Sequence, residues 1–242
     1  MSGDRISHAL VLAAGFGKRM RPLTDSTPKP LVRLGGKTML DHVLDRLADA
    51  GVTNAVVNVH YLADQVEAHL AKRTRPQLII SDEREQILDT GGAVNKALQS
   101  LGPDPFFVHN SDSVWIEHGE STLGRMIEDW NGDIMDCLLL LASTETSLGY
   151  SGNGDFHMND DGTLRRRAQG ERAPYVFAGV SINKPSLFAH CPDGPFSLNP
   201  IWDEAIAKGR LRAISHKGSW MHVGTPDALA AAERRLDGLD AA

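Results

Sequence analysis

The sequence predicts an α/β fold in which helices cover both faces of a mainly parallel β-sheet. Short apolar runs alternate with segments of helical periodicity through the first half of the chain, which is the pattern of consecutive β-α-β units with right-handed crossovers. The apolar runs show almost no polar alternation, as expected for parallel strands buried on both faces. Two of these runs, 8–13 and 106–109, are followed directly by small or polar residues, where open α/β sheets bind their ligands.

Capping residues and apolar spacing place the elements of the first half. Thr38, followed three residues later by Asp41, predicts the start of a helix, and Gly51 predicts its end. Apolar spacing predicts the other elements, which are strands at 8–13, 55–59, 78–80 and 106–109 and helices at 62–71 and 91–101.

From about residue 145 the chain is richer in glycine, and we expect small β-hairpin insertions there. The stretch Asn159-Asp160-Asp161-Gly162 is typical of a hairpin turn. Pro226, after Thr225, is typical of the first residue of a terminal helix. The remaining predicted elements are strands at 137–142 and 175–182 and a helix at 199–207. A chain of this length can bury its core as one domain, and we expect a single domain over 1–242.

The composition excludes several classes of protein. The 25 basic and 31 acidic residues give a net charge of −6, so no global positive field attracts nucleic acid or an anionic membrane. No apolar segment approaches the length of a membrane span, and residues 1–5 do not lead into an export signal. Cys137 and Cys191 lie far apart in the sequence, which argues against a zinc site or a disulfide framework. We therefore predict a cytoplasmic protein with reduced cysteines.

A glycine-rich loop with several cations follows the first strand. Gly15 and Gly17 allow the backbone to approach a ligand, and free N–H groups in such a loop form an anion-binding concavity. The cations are Lys18, Arg19, Arg21 and Lys29. A Walker A loop is excluded because Arg19 follows Lys18, and Met20 disfavours the dinucleotide fingerprint of a dehydrogenase. The loop therefore predicts a polyphosphate site.

The motif Gly15-x-Gly17-x-Arg19-x-Arg21-Pro22-Leu23-Thr24, followed by Pro28-Lys29-Pro30, resembles the signature of the sugar-1-phosphate nucleotidyltransferases. The resemblance implies a Rossmann-like, three-layer α/β/α fold of the nucleotide-diphospho-sugar transferase type. It also implies that a nucleoside triphosphate reacts with a sugar 1-phosphate to give a nucleotide sugar and pyrophosphate. Arg19 and Lys29 are then the expected catalytic cations, Arg19 for the β- and γ-phosphates and Lys29 for the α-phosphate and the incoming phosphate. The loop residues expected to bind the nucleotide are Leu12, Ala13, Ala14, Gly15, Gly17, Lys18 and Arg19.

A second glycine turn lies at Leu88-Asp89-Thr90-Gly91-Gly92-Ala93, where paired glycines let a flat base lie against the backbone. It resembles the base-recognition segment of the family, in the form found in uridylyltransferases that act on N-acetylmuramate 1-phosphate. The residues expected to bind the nucleotide here are Asp89, Thr90, Gly91 and Gly92. An ordinary helix start with Thr90 as the N-cap is the alternative interpretation.

Asn110, Ser111 and Asp112 follow the strand at 106–109 and can face the same crevice as the glycine loop. Asn110 and Ser111 are expected to contact the nucleotide. Asp112 offers the hard oxygen ligand that Mg²⁺ takes beside water and phosphates. In the family a second carboxylate precedes a Gly-Thr near the C-terminus, but this chain has His222 at that position. Because imidazole is a poor ligand for Mg²⁺, three interpretations stay open: His222 is an outer-sphere partner, Mn²⁺ is accepted, or the histidine is structural.

The resemblance also places the sugar phosphate against residues from both halves of the chain. The residues expected there are Lys29, Gly149, Tyr150, Ala178, Gly179, Asn199 and Trp202. The family's usual Glu-Lys-Pro before the strand at 175–182 is replaced by Glu171-Arg172-Ala173-Pro174. The run Arg165-Arg166-Arg167 either offers a bidentate partner to an acidic sugar or forms a solvated strand end.

Together these resemblances imply uridylyl transfer from UTP to N-acetylmuramate 1-phosphate in the recycling of cell-wall sugars. Residues 8–115 are the expected nucleotide-binding half and residues 116–242 the sugar-phosphate half, and no hexapeptide repeat indicates a left-handed β-helix domain. The alternatives are a mannose-1-phosphate guanylyltransferase and a nucleotide-binding relative without catalysis, to which His222 gives some weight. Small molecules are the expected partners, and the protein is expected to be a monomer or a weak homo-oligomer.

Overall fold

A mixed, mostly parallel sheet of nine strands organises residues 5–240, the part of the chain that the computed structural model describes. The strands are β1 (His8–Leu12), β2 (Arg33–Leu34), β3 (Lys37–Thr38), β4 (Asn54–Val59), β5 (Gln77–Asp82), β6 (Phe106–Asn110), β7 (Ser113–Ile116), β8 (Cys137–Ser143), β9 (Phe156–Met158), β10 (Leu164–Arg166), β11 (Tyr175–Asn183), β12 (Leu211–Ser215) and β13 (Ser219–His222). The main sheet has the order β10-β9-β11-β6-β1-β4-β5, and β8 pairs with β11 and β12. The pairs β2–β3 and β7–β13 form separate two-stranded sheets.

Helices cover both faces of this sheet, as predicted. The α-helices are α1 (Met39–Asp49), α2 (Ala63–Leu70), α3 (Asp89–Leu101), α4 (Thr122–Asp129), α5 (Asn199–Ala207) and α6 (Pro226–Asp240). Apolar side chains of α1, α2 and α4 pack on one face, those of α3 and α5 on the other, and α6 covers a smaller cluster. The predicted α/β class is confirmed. None of the helices within residues 5–240 combines the length and the apolar character needed to cross a membrane.

Strand β1 shows why the apolar runs lack polar alternation. Ala9 and Val11 belong to the core cluster under one helical layer, Leu10 belongs to the cluster under the other, and all three are fully buried. A polar side chain on either face would lose water without gaining a partner. The predicted N-cap of α1 is also confirmed, because Thr38 Oγ1 accepts a hydrogen bond of 3.0 Å from the Asp41 N–H.

Some element limits differ from the prediction. Helix α2 begins at Ala63 because Leu62 has a left-handed backbone with φ of 50°, and α3 begins at Asp89 instead of Gly91. The prediction lacks α4, β2, β3, β7, β12 and β13, since short elements without clear turn residues give a weak sequence signal. The start of the chain, where we predicted no export signal, and residues 241–242 of the predicted domain lie outside the described residues.

Candidate functional site

A cleft of about 390 Å³, the main cleft, lies at the carboxyl ends of the parallel strands β5, β4, β1 and β6. The register pairs Leu12 with Asn58 on one side and Asn110 on the other, so the loops that follow β1 and β6 lie side by side. The predicted nucleotide, catalytic and metal residues that line it are Leu12, Ala13, Ala14, Gly15, Gly17, Lys18, Arg19, Lys29, Asp89, Thr90, Asn110, Ser111 and Asp112. Its other lining residues are Pro30, Asn58, Glu83, Ile87 and Gly224.

The glycine loop depends on one residue with positive φ. Gly17 has φ of 63°, in the left-handed region that favours glycine, and its carbonyl accepts a hydrogen bond of 2.9 Å from Thr24 Oγ1. A Cβ atom at Gly17 would lie 2.9 Å from the Cβ of Lys29, so glycine lets the Lys29 turn pack directly against the loop. Lys18 and Arg19 line the cleft with exposed side chains.

Lys29 and Asp112 form an ion pair within the main cleft. Lys29 Nζ donates to Asp112 Oδ2 at 2.5 Å, and the two side chains are only 12% and 22% exposed. Burial by itself raises the pKa of the Asp112 carboxyl, but the charge and the hydrogen bond of Lys29, with smaller contributions from His222 and a backbone N–H, together hold that pKa below its usual value. The carboxylate is therefore ionised at neutral pH, and a positive and a negative charge are fixed beside the ends of β1 and β6.

His222 lies next to this ion pair without lining the cleft. Strand β13 places it opposite Ser113, the neighbour of Asp112, and Arg19 Nη2 donates to its Nε2 at 3.5 Å. Burial lowers the pKa of His222, and the cations Lys29 and Arg19 lower it further, against the opposing effect of Asp112. The imidazole is therefore neutral at pH 7.

Asn58 and Glu83 form a buried polar link that the sequence analysis missed. Asn58 Oδ1 accepts a hydrogen bond of 2.6 Å from the Ala13 N–H, and its Nδ2 donates to Glu83 Oε1 at 2.9 Å. Glu83 Oε2 accepts a bond of 3.0 Å from the Leu88 N–H, and both side chains are almost fully buried. The link joins the glycine loop to the start of α3. A polar residue inside the apolar run 55–59 was the available signal.

The second glycine turn forms the first turn of α3, with Thr90 inside the helix, so the alternative of Thr90 as the N-cap is wrong. Asp89 and Thr90 line the main cleft. Gly91 and Gly92 do not line the main cleft, and their N–H groups donate to the Phe196 carbonyl at 2.8 and 3.1 Å. The N–H groups that we predicted to read a base are therefore already engaged, and the paired glycines make room for the segment around Phe196.

A second cavity of about 370 Å³, the side cavity, shares Asp89, Thr90 and Asn110 with the main cleft. It is lined by Asn199 and Trp202, two of the predicted sugar contacts. Its remaining lining residues are Val108, Asp155, Phe156, Arg166, Phe177, Ser197 and Leu198. The two cavities therefore adjoin, with the first turn of α3 between them.

The other predicted sugar contacts from the second half line neither cavity. Ala178 is fully buried, and its carbonyl accepts a hydrogen bond of 3.0 Å from Trp220 Nε1. The Tyr150 hydroxyl accepts a bond of 3.0 Å from a backbone N–H in its own loop. Gly149 and Gly179 pack against β13 and β7. Small residues that we expected to make room for a sugar ring thus make room for this strand pair.

Residues 8–155 match the model of the nucleotidyl transferases, and the chain belongs to this family. An N-acetylmuramate alpha-1-phosphate uridylyltransferase from Caulobacter vibrioides is 52% identical over 94% of this chain and 96% of its own length. A mannose-1-phosphate guanylyltransferase catalytic subunit beta from Drosophila pseudoobscura pseudoobscura is 31% identical over 91% of this chain and 60% of its own length. A solved UDP-glucose pyrophosphorylase in complex with UDP-glucose has a TM-score of 0.80 at 15% identity and covers 97% of this chain and 99% of its own. The predicted family and enzyme class are confirmed.

The family generally uses a divalent metal ion. Within residues 5–240, no three His, Cys, Asp or Glu side chains come together as a metal site. A single carboxylate such as Asp112 is enough for an ion that keeps several waters and takes its other ligands from substrate phosphates. The residues of the main cleft therefore fit a metal ion that binds together with a nucleotide.

Replacing Asn58 with alanine should destabilise the protein and weaken nucleotide binding, because the Ala13 N–H and the Glu83 carboxylate lose a buried partner. We expect the free energy of unfolding to fall by about 1–3 kcal/mol and the dissociation constant for UTP to rise about tenfold. Urea denaturation and calorimetric titration measure the two effects. Asn54→Ala, at the other end of β4, is the control and should change stability by less than about 0.5 kcal/mol. Equal effects of both substitutions would contradict a specific role of the link.

Proposed function

We propose that this protein transfers a uridylyl group from UTP to N-acetylmuramate 1-phosphate, giving the UDP-sugar and pyrophosphate. The observation that carries the proposal is the Lys29–Asp112 pair, held in a cleft that a glycine loop lines and that adjoins a second cavity. The 52% identical relative named for this activity supports the choice of base and sugar. Adjoining cavities of similar volume suit a nucleotide and a sugar phosphate.

In this proposal the chain positions two phosphates and neutralises their charge. A phosphate oxygen of the sugar forms a new bond to the α-phosphorus, and the bond from that phosphorus to the β-phosphate oxygen breaks in line. The leaving pyrophosphate takes the electron pair, and Lys18 and Arg19 neutralise it. Lys29 contacts the α-phosphate and the incoming phosphate, while the loop N–H groups cradle the phosphate chain. No side chain needs to act as a nucleophile.

We infer that Mg²⁺ is the metal ion and that Asp112 holds it. The ion would add positive charge at the triphosphate. His222, neutral and in contact with Arg19, would act outside the metal's ligand set by orienting that guanidinium.

The linings of the two cavities come from two different halves of the chain. Apart from Gly224, the main cleft is lined by residues from 12 to 112, which supports residues 8–115 as the nucleotide-binding half. The side cavity takes most of its lining from residues 155 to 202, which supports residues 116–242 as the sugar-phosphate half. We propose a cytoplasmic location, where nucleoside triphosphates are made and where free thiols such as Cys137 and Cys191 stay reduced.

Pyrophosphate release tests this function directly. With Mg²⁺ present, UTP with N-acetylmuramate 1-phosphate should release pyrophosphate at least tenfold faster than GTP with mannose 1-phosphate. Each triphosphate without a sugar phosphate is the blank. Faster release from the second pair would make the protein a guanylyltransferase, and release from neither, with UTP binding retained, would favour a nucleotide-binding relative without catalysis.

Lys29→Ala should lower kcat by about a hundredfold or more, because removing one cation from a preorganised site costs a few kcal/mol of transition-state stabilisation. Circular dichroism should show a folded variant, since Asp112 keeps some contact with water. Lys37→Ala is the control, because Lys37 is an exposed lysine on β3 that pairs with Asp45 and should keep wild-type activity. Wild-type turnover in Lys29→Ala would remove Lys29 from the mechanism.

His222→Asp should keep Mg²⁺-dependent kcat within about tenfold of the wild type, because a carboxylate at this position can still contact the Arg19 guanidinium. His222→Asn, which is neutral like the native imidazole, is the companion variant and should behave in the same way. Steady-state pyrophosphate release measures both variants. Loss of activity in both, with UTP binding unchanged, would show that the imidazole itself is required.

A further inference from the structure

The side cavity contains one cation that the proposed mechanism does not use. Of the three consecutive arginines at the end of β10, only Arg166 lines this cavity. Arg165 pairs with Glu171 through two hydrogen bonds, of 3.0 and 2.9 Å, and Arg167 Nε donates to the Gly154 carbonyl at 2.7 Å. The alternation of side chains along an extended backbone explains why neighbouring arginines point to different surroundings.

Arg166 is held in place from several sides. Its Nε donates to Asp203 Oδ1 at 2.7 Å, and its Nη2 donates to Asn199 Oδ1 at 2.9 Å. The guanidinium carbon lies 4.7 Å from the centre of the Phe156 ring and 5.8 Å from that of Trp202. A guanidinium fixed in this way loses little conformational entropy when it binds a ligand.

This guanidinium also keeps hydrogen-bonding capacity. Within residues 5–240, Nη1 of Arg166 has no partner, and the side chain is 32% exposed. The charge of Asp203 offsets that of Arg166 only in part, because its own side chain is 57% exposed to water. Asp155 also lines the cavity; its Oδ2 accepts a hydrogen bond of 2.9 Å from the Phe177 N–H, and its other oxygen suits a sugar hydroxyl. The wall therefore offers a guanidinium N–H donor and a carboxylate acceptor.

We propose that Arg166 determines sugar specificity by binding an anionic substituent on the sugar ring, namely the lactyl carboxylate of N-acetylmuramate 1-phosphate. This inference rests on the proposed function and names the residue that distinguishes the acidic sugar from a neutral one. A planar carboxylate matches the geometry of a guanidinium edge. The side cavity adjoins the main cleft through Asn110, so a sugar whose phosphate lies at Lys29 can extend toward Arg166.

The test compares kcat/KM for N-acetylmuramate 1-phosphate and for N-acetylglucosamine 1-phosphate, which lacks only the lactyl group. Arg166→Gln should lower kcat/KM for the acidic sugar about a hundredfold and change it for the neutral sugar less than threefold. Arg166→Lys should restore part of the loss, because it keeps the charge without the planar fork. Arg165→Gln, on the neighbouring residue that lines neither cavity, is the matched control and should keep the wild-type ratio.

An equal fall for both sugars, or an unchanged preference in Arg166→Gln, would overturn the inference while leaving the proposed function intact. If the proposed function itself fails, the wild-type protein turns over neither sugar, and this result distinguishes that failure from the failure of the Arg166 inference. In that case calorimetric titration with N-acetylmuramate 1-phosphate tests whether Arg166 binds the acidic sugar. Binding weakened at least tenfold in Arg166→Gln supports this role of Arg166, and equal affinity of the variant and the wild type rejects it.

Discussion

The parallel pairing of β1 with β6 is the constraint on which the rest of the site depends. Because Leu12 is in register with Asn110, the segments that follow these strands leave the sheet at the same edge. The Ser111 N–H donates to the Leu12 carbonyl at 3.1 Å, which keeps the two segments together beyond the last paired residues. Asp112 therefore lies beside the glycine loop, and the turn that carries Lys29 needs only to pack against that loop to complete the ion pair.

The electrostatics of the main cleft follow from this placement. Removing a lone charge from water is costly, so Lys29 and Asp112 each lower the cost of burying the other. The pair is also well suited to exchange partners, because phosphate oxygens can replace the carboxylate at Lys29 and a metal ion can replace the lysine at Asp112. The positive charge is local to this cleft, since the chain as a whole carries a net charge of −6.

Local patterns in the sequence predicted the parts of the site that depend on neighbouring residues. The glycine loop and Asp112 each follow a buried strand, and the rule for parallel sheets brings strand ends together. Contacts between distant residues were beyond such patterns. The bond between Asn58 and Glu83 spans 25 positions, and the neighbourhood of His222 depends on the pairing of β13 with β7. For the same reason the sequence predicts that Ala178 contacts the sugar phosphate, whereas tertiary packing buries this residue completely.

The first turn of α3 is a wall common to both cavities. Gly91 and Gly92 hold the Phe196 carbonyl through their N–H groups, and Thr90 Oγ1 accepts a hydrogen bond of 3.0 Å from the Leu198 N–H. A ligand in one cavity that shifts this turn therefore also shifts the segment that borders the other cavity. Coupling of this kind between two bound ligands is reciprocal: each changes the affinity for the other by the same factor, whichever arrives first.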